Sequence, residues 1–367
     1  MHIPALGSVP ARIVSAARTW LVALGLSAVL LAAGCDRTAT SQNGFRGTGL
    51  VQVQDPGAVA RSADLHAIPE PEPVDPPDPD APSIRDTFKN VQVLNDLTVL
   101  EFSRLMQALS TWVAPDEGCD FCHNPRRLDS DEKYTKVVAR QMLQMTRQIN
   151  TEWTQHVGTV GVTCWTCHRG QAVPSGDWFA NPGSPGAANN AGNRAVQNQA
   201  GVRATGNSAL PVDALSAFLL DGNEVRIQGT SALRNGAGPS VKQAEWSYSL
   251  MMYMSNSLGV NCTFCHNSRA LANWTESTPQ RATAWHGIRM VRQLNQQWLK
   301  PVGELLPPHR LSAQGDWPKV ACETCHKGVN KPLNGVTMLD DYPELRGAMV
   351  RPEARAGEEA RLATAPR

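Results

Sequence analysis

The chain has 367 residues, 34 basic against 33 acidic side chains, and a formal charge of +1. So balanced a charge leaves no electrostatic footprint for nucleic acid, and 41% hydrophobic residues is ordinary for a globular protein. Length alone allows about two or three domains; the unusual feature is nine cysteines.

Residues 1–34 read as a signal peptide: Arg12 and Arg18, then a 14-residue apolar run from Trp20 to Ala33. That run is shorter than the ~20 residues needed to span a bilayer as a helix. Leu31-Ala32-Ala33-Gly34 leads directly into Cys35, the form of a bacterial lipoprotein processing site, so Cys35 is expected to carry lipid. An ordinary signal peptide and an uncleaved anchor stay open as alternatives; on each reading the rest of the chain faces the periplasm. Residues 35–94 continue as anchor and spacer. Within them, Pro69 to Pro82 alternates seven prolines with acids, which favours an extended polyproline spacer that wraps along a surface or holds the body off the membrane, or else plain disorder.

Asn95–Val113 predicts an amphipathic helix, apolar at Leu97, Leu100, Leu105, Met106 and Leu109. It ends just before Cys119–His123 (CDFCH). A second helix over Tyr134–Trp153 leads towards Cys164–His168 (CWTCH). Ser175–Asn207, rich in Gly, Asn and Ala, reads as a flexible surface loop. Leu215–Leu220 and Glu224–Ile227 then flank Asp221-Gly222-Asn223 in the pattern of a small β-hairpin. A helix over Ala244–Leu258 precedes Cys262–His266 (CTFCH), and Cys322–His326 (CETCH) closes the series.

The order helix, motif, helix, motif occurs twice. Arg147-Gln148-Ile149-Asn150-Thr151-Glu152-Trp153 returns 145 positions later as Arg292-Gln293-Leu294-Asn295-Gln296-Gln297-Trp298, and Met145 and Met290 share that register. A repeat this long predicts two packed units related by a pseudo-twofold. The divisions are therefore 95–168 for the first half, 169–243 for the connection, 244–338 for the second half and 339–367 for a disordered tail.

Four Cys-x-x-Cys-His motifs use eight of the nine cysteines. Two thiols at this spacing add to the two vinyl groups of one haem, and the adjacent histidine ligates its iron. Zinc sites and redox Cys-x-x-Cys pairs need no histidine after the second cysteine, yet it follows all four times. Cys119, Cys122, Cys164, Cys167, Cys262, Cys265, Cys322 and Cys325 are thus expected to attach four haem c groups, numbered by motif. His123, His168, His266 and His326 are their proximal ligands. The expected fold is mainly α, a multihaem cytochrome c of two dihaem halves with long irregular loops and the small hairpin.

An open iron binds substrate, whereas one closed by Met or His carries electrons. Met106 lies 17 residues before His123, and Met251 lies 15 before His266 with Met252 and Met254 close by. Met142 and Met145 both suit haem 2, and spacing does not choose between them. Met142 has Gly287 as its counterpart in the second half, so haem 4 lacks that methionine. His156, His286 and His309 are the remaining histidines of the body, with His66 beside the linker. A lone methionine on an apolar helix face is more often packing than a ligand.

Several stretches beyond the motifs carry a family resemblance. They are Ser257-Leu258-Gly259-Val260-Asn261 into Cys262–Asn267, Ser277-Thr278-Pro279-Gln280-Arg281, Gly287-Ile288-Arg289-Met290-Val291-Arg292, and Cys325-His326-Lys327-Gly328-Val329 continuing to Lys331-Pro332-Leu333. With the four motifs and the leader, the chain resembles the tetrahaem cytochrome subunit of the purple-bacterial photosynthetic reaction centre, over roughly residues 95–335. The resemblance implies His/Met ligation by Met106 for haem 1, Met142 for haem 2 and Met251 for haem 3. It implies bis-His ligation of haem 4, with His156, 12 residues before His168, donated from the first half. Met145, Met252, Met254 and His286 then fall to packing. The chain departs from the family's Ser-Ala-Leu-x-Tyr-Asp setting, reading Ser208-Ala209-Leu210-Pro211-Val212-Asp213.

The resemblance further implies an electron carrier and not an enzyme, lipid-anchored on the periplasmic face of the photosynthetic membrane. It would sit on the L and M subunits and pass electrons along haems 1, 2, 4 and 3 to the bacteriochlorophyll pair. A soluble cytochrome c or high-potential iron–sulfur protein would refill it. Asp116, Glu117, Asp120, Asp129, Asp131 and Glu132 near haem 1 make either a docking patch for a basic donor or a solvated loop. The alternative is a periplasmic multihaem respiratory cytochrome or reductase; a reductase needs an iron with an open position, whereas four distal candidates are in hand.

Overall fold

The computed structural model describes residues 38–42, 51–74, 78, 80–180, 210–211, 213–225 and 241–347. Cys35, most of Ser175–Asn207 and Ile227 lie outside them. The chain divides into a small unit, 1–41 with 53–63, and a large one, 42–52 with 64–367. Ala39–Gln42 (β1) and Val51–Gln54 (β2) form a two-stranded sheet, in a stretch whose sequence is polar and featureless. In the small unit Pro56–Arg61 (α1) starts on Asp55, whose carboxylate accepts the Gly57 N–H at 2.8 Å.

The large unit is mainly helical. Ile84–Thr87 (α2) is capped by Ser83 and buries Ile84. Val99–Val113 (α3) begins where Thr98 and Glu101 close a capping box, later than its apolar pattern alone suggests. Its inward stripe is Leu105, Ala108 and Trp112. Tyr134–Glu152 (α4) buries Leu143, Thr146 and Ile149 and is followed by the short Thr154–Val157 (α5) and by Cys164–His168 (α6). Val241–Leu258 (α7) and Pro279–Gln293 (α8) are the long helices of the second half. α8 widens into a π-turn, Leu294–Leu299, one turn before Pro301 in Lys300–Gly303 (α9), and Cys322–His326 (α10) holds the last motif. A proline without an N–H is a common cause of such widening.

The same contacts recur in the two halves. The Asn150 carboxamide donates to Val162 O at 2.9 Å and accepts from Val162 N at 2.8 Å; Asn295 does the same to Val320, both at 2.9 Å. Thr135 Oγ1 bonds Phe121 O at 2.6 Å, and Thr278 Oγ1 bonds Phe264 O at 2.7 Å. Between the halves, Trp153 Nε1 donates to Gln293 Oε1 at 2.8 Å while Trp298 Nε1 donates to Gln148 Oε1. Around them Met145, Ile149, Trp153 and Val162 pack with Met290, Leu294, Trp298 and Val320 in one cluster.

Two expectations are corrected. The hairpin does not form: Ser216–Leu220 is a π-turn, with Phe218 and Leu219 buried. Its carbonyls are taken by side chains instead, Phe218 O by Arg292 at 2.6 Å, Leu219 O by Asn295 at 3.1 Å and Leu220 O by Gln296 at 2.9 Å. A short apolar run does not distinguish strand from helix, and here side chains from α8 supply what a partner strand would. Residues 339–347 are no disordered tail: Leu339, Tyr342 and Leu345 are 0–1% exposed in the core with Leu105 and Trp112. Apolar residues three apart put one side inward, though charged neighbours hide the pattern. The described part of the proline-rich stretch fits the reading of a segment that wraps along a surface. Arg104 donates to Glu72 O at 2.9 Å, the Glu72 N–H donates to Tyr342 Oη at 2.9 Å, and the Arg104 guanidinium stacks on the Tyr342 ring at 4.2 Å.

Asn295 is fully buried, and its side chain serves three backbone groups. Asn295→Ala is therefore expected to destabilise the fold by about 2–3 kcal/mol, the cost of stranding buried polar groups. Denaturant unfolding followed by tryptophan fluorescence measures it; an unchanged midpoint would contradict the assignment.

Candidate metal centres and haem attachment

The motifs adopt two local forms in alternation. The first and third lie in 3₁₀ turns, Gly118–Phe121 and Cys262–Phe264, and the second and fourth are the helical turns α6 and α10. Both α6 and α10 end on a left-handed residue, Arg169 at φ 50° and Lys327 at φ 49°. The cysteines of the described residues are all free thiols. Burial pushes Cys164 and Cys322 up to about 12 and Cys265 up to about 11. They remain neutral thiols, the form whose S–H adds across a vinyl group.

Each proximal histidine is oriented by its own loop. Nδ1 meets the carbonyl of Leu128 for His123 (2.9 Å), Gln171 for His168 (2.8 Å), Leu271 for His266 (2.8 Å) and Val329 for His326 (2.9 Å). Engaging Nδ1 leaves the Nε2 lone pair for a metal, the usual arrangement of a ligating imidazole. Burial lowers the pKa of His168 and His266, and burial with the neighbouring His156 lowers His326 to about 4, so the rings stay neutral.

His156 comes from the other half and meets His326. Their ring centroids are 6.0 Å apart, and His156 Nδ1 is held by Thr283 O at 3.0 Å. A metal between two imidazoles, with bonds of about 2 Å to each nitrogen, sets centroids about 6 Å apart. Space for His156 is made by Gly287: a Cβ there would lie 2.5 Å from His156 Cε1. Among the described residues no three His, Cys, Asp or Glu side chains converge to hold a metal by themselves. The paired imidazoles and the adjacent thiols of the motifs would hold a prosthetic group joined through Cys322 and Cys325, with His156 and His326 as its nitrogen donors.

For the methionines the structure gives the helix and a half-buried position. Met106 on α3 packs against the first core, and Ser110, one turn later, has Oγ 3.9 Å from Cys119 Sγ. Met142 lies on α4, and Thr146, one turn later, donates to Met142 O at 2.9 Å and lies beside the Cys164 thiol. Met145 instead packs between the halves with Ile149 and Met290. Met251 and Met254 on α7 both pack against the Leu250 and Phe218 core, so packing does not separate them. Sequence reasoning passed over the buried His66 and Lys327 and the half-buried Arg169, the last two named lying directly after the fourth and second motifs. The recurrence of a basic residue and glycine after these two motifs was the available signal. No helix of the described residues is long and apolar enough to cross a membrane.

Comparison with known proteins agrees with this geometry. Residues 35–346 match the family model described as photosynthetic reaction centre cytochrome C subunit. The chain is 44% identical to the photosynthetic reaction center cytochrome c subunit of Rubrivivax gelatinosus, over 94% of this chain and 93% of that one. It is 43% identical to that of Thermochromatium tepidum, over 94% of this chain and 85% of that one. For Roseobacter denitrificans the figures are 41%, 88% and 89%. The chain therefore belongs to the photosynthetic reaction centre cytochrome c subunit family, and is a reaction-centre-associated electron carrier with covalently bound haem c.

Proposed function

We propose that the chain is a four-haem wire, taking electrons from a soluble periplasmic donor and delivering them to the photo-oxidised bacteriochlorophyll pair. The observation that carries this reading is the 6.0 Å pairing of His156 with His326, which closes a fourth iron across the two halves. An iron with two protein ligands exchanges electrons and has no position for substrate. Distal ligation by Met106, Met142 and Met251 closes the other three. Met142 is favoured over Met145 because Thr146 keeps its turn beside Cys164 while Met145 is used between the halves. His/Met haems sit higher in potential than the bis-His haem, subject to burial and nearby charge.

The halves 95–168 and 244–338 are read as related by a pseudo-twofold, supported by the reciprocal Trp–Gln bonds and the matched cluster around Ile149 and Leu294. The residues between and after them, 169–180 and 339–347, pack into the same cores. In this reading the chain sits on the L and M subunits at the periplasmic face, with lipid on Cys35. The donor, a cytochrome c or high-potential iron–sulfur protein, docks at haem 1. Of the acids there, Asp131 is occupied by Arg140, which with Asn90 and Lys136 holds its carboxyl well below the usual range, and Glu132 pairs with Arg127 at 2.7 Å. Asp116, Glu117 and Asp120 are exposed around the exposed Cys119 and carry the docking proposal.

Flash spectroscopy on membranes tests the main reading. After one saturating flash, oxidation of the c-type α-band is expected to track recovery of the bleached pair; no haem oxidation from a reduced start would overturn it. Gly287→Ala is expected to displace His156 and open one haem in four to carbon monoxide on reduction. Wild-type ligand spectra and no carbon monoxide binding in that variant would remove the bis-His assignment. Charge reversal at Asp116, Glu117 and Asp120 is expected to slow re-reduction by a basic donor at low salt and flatten its salt dependence. Unchanged kinetics would move docking elsewhere.

A further inference from the structure

The loops of the first and third motifs are built alike but charged differently. His123 Nδ1 rests on Leu128 O and His266 Nδ1 on Leu271 O, and Thr135 and Thr278 tie the two loops to their helices in the same way. Asp131 and Trp274 therefore stand at matching loop positions. On the helices the 145-residue register matches Lys136 with Arg281 and Arg140 with Trp285. Lys136 bonds Ser130 O at 3.0 Å and Arg281 bonds Asn273 O at 2.9 Å, the same reach onto the same loop carbonyl. In the first half this triad is closed, because Asp131 takes Lys136 at 3.3 Å and Arg140 at 2.9 Å. In the second half it reads Trp274, Arg281, Trp285. Arg281 stacks on Trp274 at 4.1 Å, and Arg289, one turn on, stacks on Trp285 at 4.5 Å. Among the described residues neither arginine meets a carboxylate, and the bonds of Arg281 go to Asn273 O, Ser277 Oγ and Ala272 O. Glu276, the nearby acid, accepts from Asn267 at 3.2 Å and Asn273 at 3.1 Å. Residues 114–147 carry six acids and six bases, whereas their counterparts 257–292 carry one acid and four arginines, a net of zero against +3.

Leu271, Trp274 and Trp285 are 54%, 54% and 43% exposed. The matching positions of the two tryptophans in the first half are the charged Asp131 and Arg140, which marks this side as the outer one and not the side on which a haem packs. A closed ion-pair triad needs no partner, whereas large apolar side chains grouped on a surface mark a contact. Indole and guanidinium in alternation suit the headgroup layer of a bilayer, where the ring lies at the water boundary and the guanidinium forks a phosphate. A reaction-centre cytochrome subunit is associated with the photosynthetic membrane, and no described helix is long and apolar enough to cross one. We propose that the outer face of α8 and the loop of the third motif, through Leu271, Trp274, Arg281, Trp285 and Arg289, lie on the membrane surface and bind anionic phospholipid headgroups. The neutral counterpart in the first half gives an anionic surface nothing to hold, so the same difference selects which end of the protein turns to the bilayer. A tether at the N-terminus keeps a protein near the membrane without fixing which way up it sits; this face fixes it.

The test uses the mature haem-loaded chain, exported behind an ordinary cleavable leader with Cys35→Ser so that no acyl chain holds it, and follows flotation with vesicles by haem absorbance. The probes are vesicles of phosphatidylcholine alone and of phosphatidylcholine mixed with phosphatidylglycerol. The protein is expected to float with the anionic vesicles only and to be released by salt. Trp274→Asp with Trp285→Arg rebuilds the triad that the first half already accommodates, leaves the net charge unchanged, and is expected to lower partitioning about tenfold or more. Arg289→Ser is expected to lower it about fivefold, the worth of one basic residue at an anionic surface. Unchanged haem spectra show that the variants are folded; should the double variant fail to assemble, Arg289→Ser, at an exposed position, carries the test. Equal flotation of all three proteins, or none of the parent, would overturn the proposal. So would release by soluble glycerophosphate at matched ionic strength, since the face would then take a free anion and not a surface. Normal flotation of the variants with loss of their hold on the reaction centre in detergent would give the face to a protein partner and overturn it equally.

Discussion

The contact on which the rest depends is that of His156 with His326. Two imidazoles from different halves stand at the separation that one metal ion spans, each with its δ nitrogen already committed to a carbonyl. Metal–ligand bonds tolerate errors of a few tenths of an ångström, so a shared site makes the relative position of the halves a condition of ligation. The cluster between them meets that condition. Ile149 and Leu294 fill it, Met145 and Met290 flank it, and each half lends a tryptophan N–H to a glutamine of the other. Close packing of this kind resists sliding because every side chain is held on several sides.

Gly287 ties that geometry back to a single residue choice. Any side chain larger than hydrogen would collide with His156, with the first carbon 2.5 Å away. The same position in the first half is Met142, beside the second motif. One register of the repeated helix therefore carries a methionine in one half and gives way to an imidazole from across the boundary in the other. Gly259 marks a comparable close approach in the second half: at φ +61° its Cβ would sit 2.0 Å from Gly328 O, where α7 passes the turn after the fourth motif.

Much of this was legible in the chain. Motif spacing picked out the eight described thiols and four histidines whose Nδ1 atoms the structure finds on carbonyls, and apolar periodicity located α3 but began it at Asn95, ahead of the Thr98 and Glu101 capping box. The 145-residue repeat anticipated Asn150 and Asn295 in equivalent roles. What escaped was set by distant partners. Leu215–Leu220 looks like a strand until Arg292, Asn295 and Gln296 claim its carbonyls. Leu339, Tyr342 and Leu345 look like part of a charged tail until Trp112 meets the Tyr342 ring edge-on at 4.6 Å. His66 gives no local sign at all, because the residues that surround it lie beyond the second and fourth motifs.

The buried cations are not all treated alike. Arg147 is paired with Asp96 at 3.0 Å, Lys319 with Asp316 at 2.6 Å, and Lys136 with Asp131 at 3.3 Å. Each of these cations has a carboxylate supplied by the chain, as the cost of burying charge requires. Arg169 and Lys327 are handled differently, since their hydrogen bonds go to backbone carbonyls and to Ser175. They occupy matching left-handed positions at the ends of the two helical motifs. The chain therefore places two cations beside Cys167 and Cys325 and holds them by neutral hydrogen-bond acceptors, with the carboxyl groups of Asp177 and Glu323 acting on Lys327 only through space.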